Sequence, residues 1–174
     1  IKRLANCGQL HFGESRLQEA IPKLEAFNND KTLRWHFIGH VQSNKVRTIV
    51  RFFDFIHSIH SVSLAQRISR IAGEEKKHPK VMLQVKFRDD PNKCGFHPDQ
   101  LLESWKALTS FENYEIVGLM TMAPIFIDPK DRGELFKDCR LLANQLELPH
   151  CSMGMSSDWK EAVKAGSTWL RVGS

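Results

Sequence analysis

The chain has 174 residues, 41% of them hydrophobic and 26% charged. That composition suits one soluble core and leaves no apolar run near the roughly 20 residues of a membrane helix. Net charge is +5, but the bases are interleaved with acids. The densest cluster, Glu74-Glu75-Lys76-Lys77-His78-Pro79-Lys80, is of mixed sign, so it reads as a solvated helix end, and nucleic acid is not expected as a partner.

In chain order, residues 11–14 read as a short strand and 15–27 as a helix, with Leu17, Ile21 and Leu24 at helical spacing and Pro22 suiting only an early turn or a kink. A strand is predicted over 35–39, a helix over 43–52 and a strand over 54–59. Ser61 or Ser63 caps a helix through Ala72. KVMLQVKF, 80–87, is a strong strand. It is followed by a turn-rich loop to Phe96 that holds Pro91, Asn92 and Gly95. The pattern continues with a helix over 99–110, a strand over 114–121, a long helix within 129–148, a strand over 150–155, a helix over 158–165 and a strand over 169–172.

Seven strands alternating with six helices imply a parallel α/β sheet in one domain. An open doubly wound sheet and a (β/α) barrel compete, the barrel being one unit short of eight. No G-x-G-x-x-G follows a strand, which weakens dinucleotide binding. In either architecture the site lies at the carboxyl ends of the strands.

Four features there carry candidate chemistry. WHFIGH places His36 and His40 four apart, but H-E-x-x-H needs a Glu where Phe37 stands. No metal is expected from this pair; one ring belongs within the sheet's interior and the other near its rim. In KVMLQVKF, Met82, Gln84 and Lys86 share one face, inward in a barrel, and Lys86 is either a Schiff-base lysine or a strand-end lysine reaching water. Lys93 sits on a turn-rich loop, as a mobile cation over the site or a solvated lysine. SMGMSSD leads into a helix, and the last strand ends in Gly173 and Ser174. Ser156, Ser157, Gly173 and Ser174 with Arg171 suit a bound anion, and a cap by Ser157 or Asp158 explains the same residues without one.

The four cysteines, Cys7, Cys94, Cys139 and Cys151, form no C-x-x-C pair and read as reduced, mostly buried thiols of a cytoplasmic protein. No secretory leader is visible, although the first residue is not Met.

HFGESRLQEAIPK (11–23), WHFIGHVQSNK (35–45), GLMTM (118–122), SMGMSSD (152–158) and AGSTWLRVGS (165–174) together resemble the pyridoxal phosphate homeostasis protein family. LQVKFRDDPNKCGF (83–96) and FGESR are most similar to its cyanobacterial branch. The resemblance implies a (β/α)8 TIM-barrel-like fold of the alanine racemase N-terminal domain type. It implies pyridoxal 5'-phosphate (PLP) at the mouth and a monomeric carrier or regulator in vitamin B6 and amino-acid homeostasis, without clear enzymatic turnover. PLP-dependent apoenzymes are the expected recipients. Ser156, Arg171, Gly173 and Ser174 are then expected around the phosphate. Ser15, where many members have Asn, and Arg16, where many have Tyr, approach the cofactor, and Lys93 matches a loop lysine of the family. The family's Schiff-base lysine lies on a first strand, in a pattern like A-V-S-K, that this chain lacks. The chain starts within the following helix and stops before the family's final helix, so it is expected to hold strands two to eight, with two open edges. The alternative is a racemase-like PLP enzyme. Its acid–base tyrosine is hard to supply, because Tyr114 is the single tyrosine and starts a strand at the end away from the site.

Overall fold

A computed structural model describes residues 1–91 and 93–173. Seven parallel strands lie in chain order: β1 (His11–Glu14), β2 (Arg34–Phe37), β3 (Phe55–Ile59), β4 (Lys80–Gln84), β5 (Glu115–Met120), β6 (His150–Met155) and β7 (Trp169–Arg171). Around them run α1 (Lys2–Asn6), α2 (Leu17–Ala26), α3 (Val46–Phe52), α4 (Val62–Glu74), α5 (Pro98–Thr109), α6 (Pro129–Gln145) and α7 (Trp159–Lys164). The sheet curls into a near-closed barrel of the expected TIM-like type. The edges β1 and β7 are not paired with each other; His11 and Trp169 bridge them, with ring centroids 4.9 Å apart.

The period-two alternation of the strands divides the apolar residues into two sets. Val81 and Leu83 of β4 join Ile56, Leu119, Cys151 and the apolar faces of the helices in one continuous outer core. The amphipathic α4 buries Leu64, Ala65, Ile68, Ile71 and Ala72 there, and α6 buries Leu135 and Phe136. Burying each such large side chain stabilises by about 1.5–3 kcal/mol. Met82 faces the other way, with Phe55, Val117 and Met120, in a small interior cluster beside Trp169. Val117 and Met120 are three apart and still share the interior. The register shift between β4 and β5 at Val81/Met82 accompanies this.

Local signals explain most boundaries. Ser61 Oγ accepts from Leu64 N at 3.2 Å and caps α4, whereas Ser63 lies inside the helix. Pro98 and Pro129 open α5 and α6. Pro22 falls inside α2, where it removes one donor from the ladder.

Three expectations need correction. KVMLQVKF is a strand only to Gln84. Beyond it the chain pairs with its own loop, Phe96 N donating to Gln84 O and Lys86 N to Phe96 O, both at 2.8 Å. Gly95, at φ +153°, permits that return. Second, Ser156 and Ser157 lie in a turn ahead of α7 rather than in its first turn. Third, only Cys139 and Cys151 are buried; Cys7 and Cys94 are exposed.

Candidate functional site

The carboxyl ends of the strands gather the expected residues on one rim, in two groups. At the β6–β7 side, Ser156 Oγ and the backbone of Gly173 lie 3.3 Å apart, within hydrogen-bond reach of both the Gly173 N–H and its carbonyl. Both residues are exposed, and a Cβ added at Gly173 meets nothing within 4 Å. The turn that presents Ser156 is held from inside. Buried Asp158 accepts from Met155 N at 2.5 Å, and Gly154, at φ +93°, has no room for a Cβ, which would lie 2.6 Å from that of Ala162. Asp158 makes no side-chain cap to α7, so it closes the turn rather than the helix.

Arg171 reaches inward from β7. Its guanidinium donates to Ser152 Oγ at 2.7 Å and to the Thr121 carbonyl at 2.9 Å. Both acceptors are neutral. Burial lowers its pKa to about 10, against the pull of Asp158, so it remains a cation near neutral pH.

The remaining expected residues stand elsewhere on the rim. Ser15 is exposed just past β1. Its carbonyl packs so closely on Gly39 that a Cβ there would lie 2.0 Å away. Arg16 turns to Glu19, at 2.9 Å. Lys93 is bonded through its ammonium to the Ala123 carbonyl and lies 3.6 Å from Asp90, tying the loop after β4 to the loop after β5. Lys86 is partly buried and makes no ion pair among the described residues. Ser174 lies outside the described residues.

Below Arg171 the structure holds a feature that residue-by-residue reading missed. His11 Nδ1 contacts His36 Nε2 at 2.9 Å, His36 Nδ1 contacts His57 Nε2 at 2.8 Å, and His57 Nδ1 contacts Ser152 Oγ at 2.8 Å. A row of side chains therefore crosses the barrel interior, from exposed His11 at the amino end of β1 to the arginine at the rim. His36 stacks on Phe55 with centroids 4.2 Å apart. Burial holds the His36 pKa at about 3, with His11 adding to the effect. The same cause, reinforced by His36 and Arg171, pushes His57 far down. The row is therefore neutral at physiological pH. A signal existed in the sequence: one histidine in each of the first three strands, HFGE, RWHF and FIHSI. One ring of the WHFIGH pair lies inside and one at the rim, as expected, and the structure assigns them to His36 and His40 respectively.

A hollow of about 600 Å³, lined by Arg34, Asp54, Lys80 and neighbours, opens at the amino ends of the strands. It lies opposite the rim, so it adds nothing to this site.

Comparison with known proteins agrees with the geometry. The family described as alanine racemase, N-terminal domain, matches residues 1–174. The chain is 41% identical to the pyridoxal phosphate homeostasis protein of Synechocystis sp., over 100% of this chain and 83% of that protein. It is 35% identical to that of Aquifex aeolicus, over 100% and 78%. The structure of PipY from Synechococcus elongatus PCC7942 with PLP bound superposes with a TM-score of 0.92 and 42% identity, over 99% of this chain and 84% of that chain. An alanine racemase of Clostridium difficile 630 shares the fold, with a TM-score of 0.74 at 16% identity over 94% of this chain and 43% of that chain. The chain belongs to the pyridoxal phosphate homeostasis protein family and has the alanine racemase N-terminal domain fold.

Proposed function

We propose that this chain binds PLP at the carboxyl-end rim. We further infer that it acts as a carrier or regulator of that cofactor in vitamin B6 and amino-acid homeostasis, without turnover of its own. The observation that carries the reading is the meeting of Ser156 Oγ and Gly173 N–H at 3.3 Å, at the end of two strands, beside open space. The residues present fit a phosphate. A long, exposed hydroxyl–amide contact is readily exchanged for two shorter bonds to an anion. Glycine at 173 leaves room for it. The two acceptors bonded to Arg171 are neutral and do not cancel its charge, and its position is fixed from below by Ser152 and Thr121. Ser174 and Ser15 complete the proposed set, and Lys93 braces the loops around it. PipY, 42% identical, is known with PLP bound.

Bound there, the cofactor supplies an aldehyde and an electron-withdrawing ring. The chain's own part is to hold the phosphate, orient the ring and keep Arg171 in place. Tyr114 argues against racemase chemistry. It precedes β5 at the amino end, its hydroxyl donates to the Leu108 carbonyl at 2.8 Å, and burial raises its pKa. It is neither at the mouth nor ready to exchange a proton there. We place the protein in the cytoplasm as a monomer, with PLP-dependent apoenzymes as recipients. No helix among the described residues is long and apolar enough to cross a membrane.

The test is an absorbance titration of the 174-residue chain with PLP. Binding should saturate and be competed by inorganic phosphate. Ser156→Ala should weaken it roughly tenfold or more, the loss of one hydrogen bond to a charged group. An unsaturable titration sinks the cofactor reading. L-Alanine added to the loaded protein should keep its optical rotation; loss at catalytic rates would instead make the chain a racemase.

A further inference from the structure

Across the rim from Ser156, three other loops converge. His40 follows β2, His60 follows β3, and Cys94 lies in the loop after β4. One ligating atom from each lies within 4.8 Å of the others. The two imidazole rings are stacked, with centroids 5.1 Å apart and planes inclined by 23°. From these observations we propose a zinc-class divalent cation site made of His40, His60 and Cys94. It does not rest on the PLP reading.

The donor chemistry selects the metal. Two imidazoles and a thiolate are borderline to soft ligands, which suit zinc(II) and reject magnesium or calcium. Tetrahedral zinc at about 2.0–2.1 Å from nitrogen and 2.3 Å from sulfur needs ligand atoms about 3.3–3.6 Å apart. The 4.8 Å limit is therefore closed by rotation of side chains, and His40 and Cys94, both exposed, are free to rotate. Three protein ligands leave one position for water or a small anion, the arrangement of an open site.

The supporting residues favour ligation too. His60 Nδ1 lies 3.2 Å from the Ser58 carbonyl. That acceptor takes the Nδ1–H and leaves Nε2 bare for a metal, the usual outer-shell arrangement for a zinc histidine. Ser58 also donates through Oγ to the Gly39 carbonyl, so one serine anchors the loops that carry both histidines. Gln84 Nε2 donates to the Cys94 carbonyl at 2.6 Å and holds the third loop. On binding, the Cys94 S–H bond breaks, sulfur bonds to the metal and the proton leaves to solvent. His36, the sequence neighbour first weighed against His40, takes no part, because it is committed to the interior row.

Cobalt(II) is the probe, since its thiolate complex has a charge-transfer band that zinc lacks. The full chain, stripped with chelator and reduced, should bind one equivalent and develop the band. Zinc(II) should displace it. Cys94→Ser should abolish the band, while Cys7→Ser, at the other exposed thiol, should leave it. His40→Gln should weaken zinc affinity by more than the 10–100-fold that outer-shell losses cost. Circular dichroism of each variant reads the fold separately. No band in the wild-type chain, or a band retained in Cys94→Ser, overturns the proposal. So does His40→Gln with unchanged zinc affinity.

Discussion

The two faces of the sheet are built on different principles. The outer face is a continuous apolar layer joining strands β1 to β6 to the helices, with Phe136, Ile49, Ile56, Ile68, Leu83, Leu101 and Leu119 fully buried. The inner face has four buried apolar residues, Phe55, Met82, Val117 and Met120, and beside them a hydrogen-bonded row of His36, His57 and Ser152 ending on Arg171. Apolar packing is tolerant of which large residue fills a space and intolerant of a void. A polar row is intolerant of any missing partner. The outer layer therefore holds the fold, and the inner row holds the position of Arg171 at the rim.

The contrast can be broken from either side. The largest effect is expected from Phe136→Ala in the outer layer, a loss of about 3–5 kcal/mol in a denaturant titration. A loss below 1 kcal/mol would show that the helices do not hold the sheet as described. The inner row responds to pH instead. The unfolded chain protonates each histidine below about pH 6.5 while the folded row does not, so the unfolded state binds more protons and stability falls as pH falls. With the His36 pKa at about 3, the loss from that ring is about 2–3 kcal/mol between pH 6.5 and 4.5, and His57 acts in the same direction. His36→Gln, which keeps a donor and an acceptor but does not titrate, should remove one ring's share of the slope. A wild-type profile flat over that window would contradict the neutral row. The smallest effect is expected from Ser61→Ala, which belongs to neither face and costs about 1 kcal/mol through the lost cap. It should leave the pH slope untouched.

The outer layer is also the part most readable in the sequence. Its residues repeat at helical spacing in α4 and at every second position in β4, so element order, parallel class and the rim followed from pattern alone. Ser156 and Gly173 were legible because each ends its own strand. Where legibility failed, the cause was competition or distance. The last three residues of KVMLQVKF have strand propensity, but the backbone of Phe96 takes the hydrogen bonds a longer strand would have used. The histidine row joins residues 21 to 95 positions apart. The His40–His60–Cys94 cluster needs three loops at once, and no local spacing encodes that. Lys93, legible as a loop lysine, could not be known to point at the Ala123 carbonyl.

The row of rings has a direction. Each nitrogen–nitrogen contact between neutral imidazoles holds one hydrogen, so His11, His36 and His57 must all adopt the same tautomer. Only two arrangements exist, each the reverse of the other. In one, His57 donates to Ser152 Oγ, which then accepts from both His57 and Arg171. In the other, the serine hydroxyl hydrogen is spent on His57. A donor or acceptor presented to His11 at the open amino end thus sets which way the Ser152 hydroxyl points beneath Arg171, by moving hydrogens alone. The barrel carries a single binary setting along its interior, written at one end and read at the other.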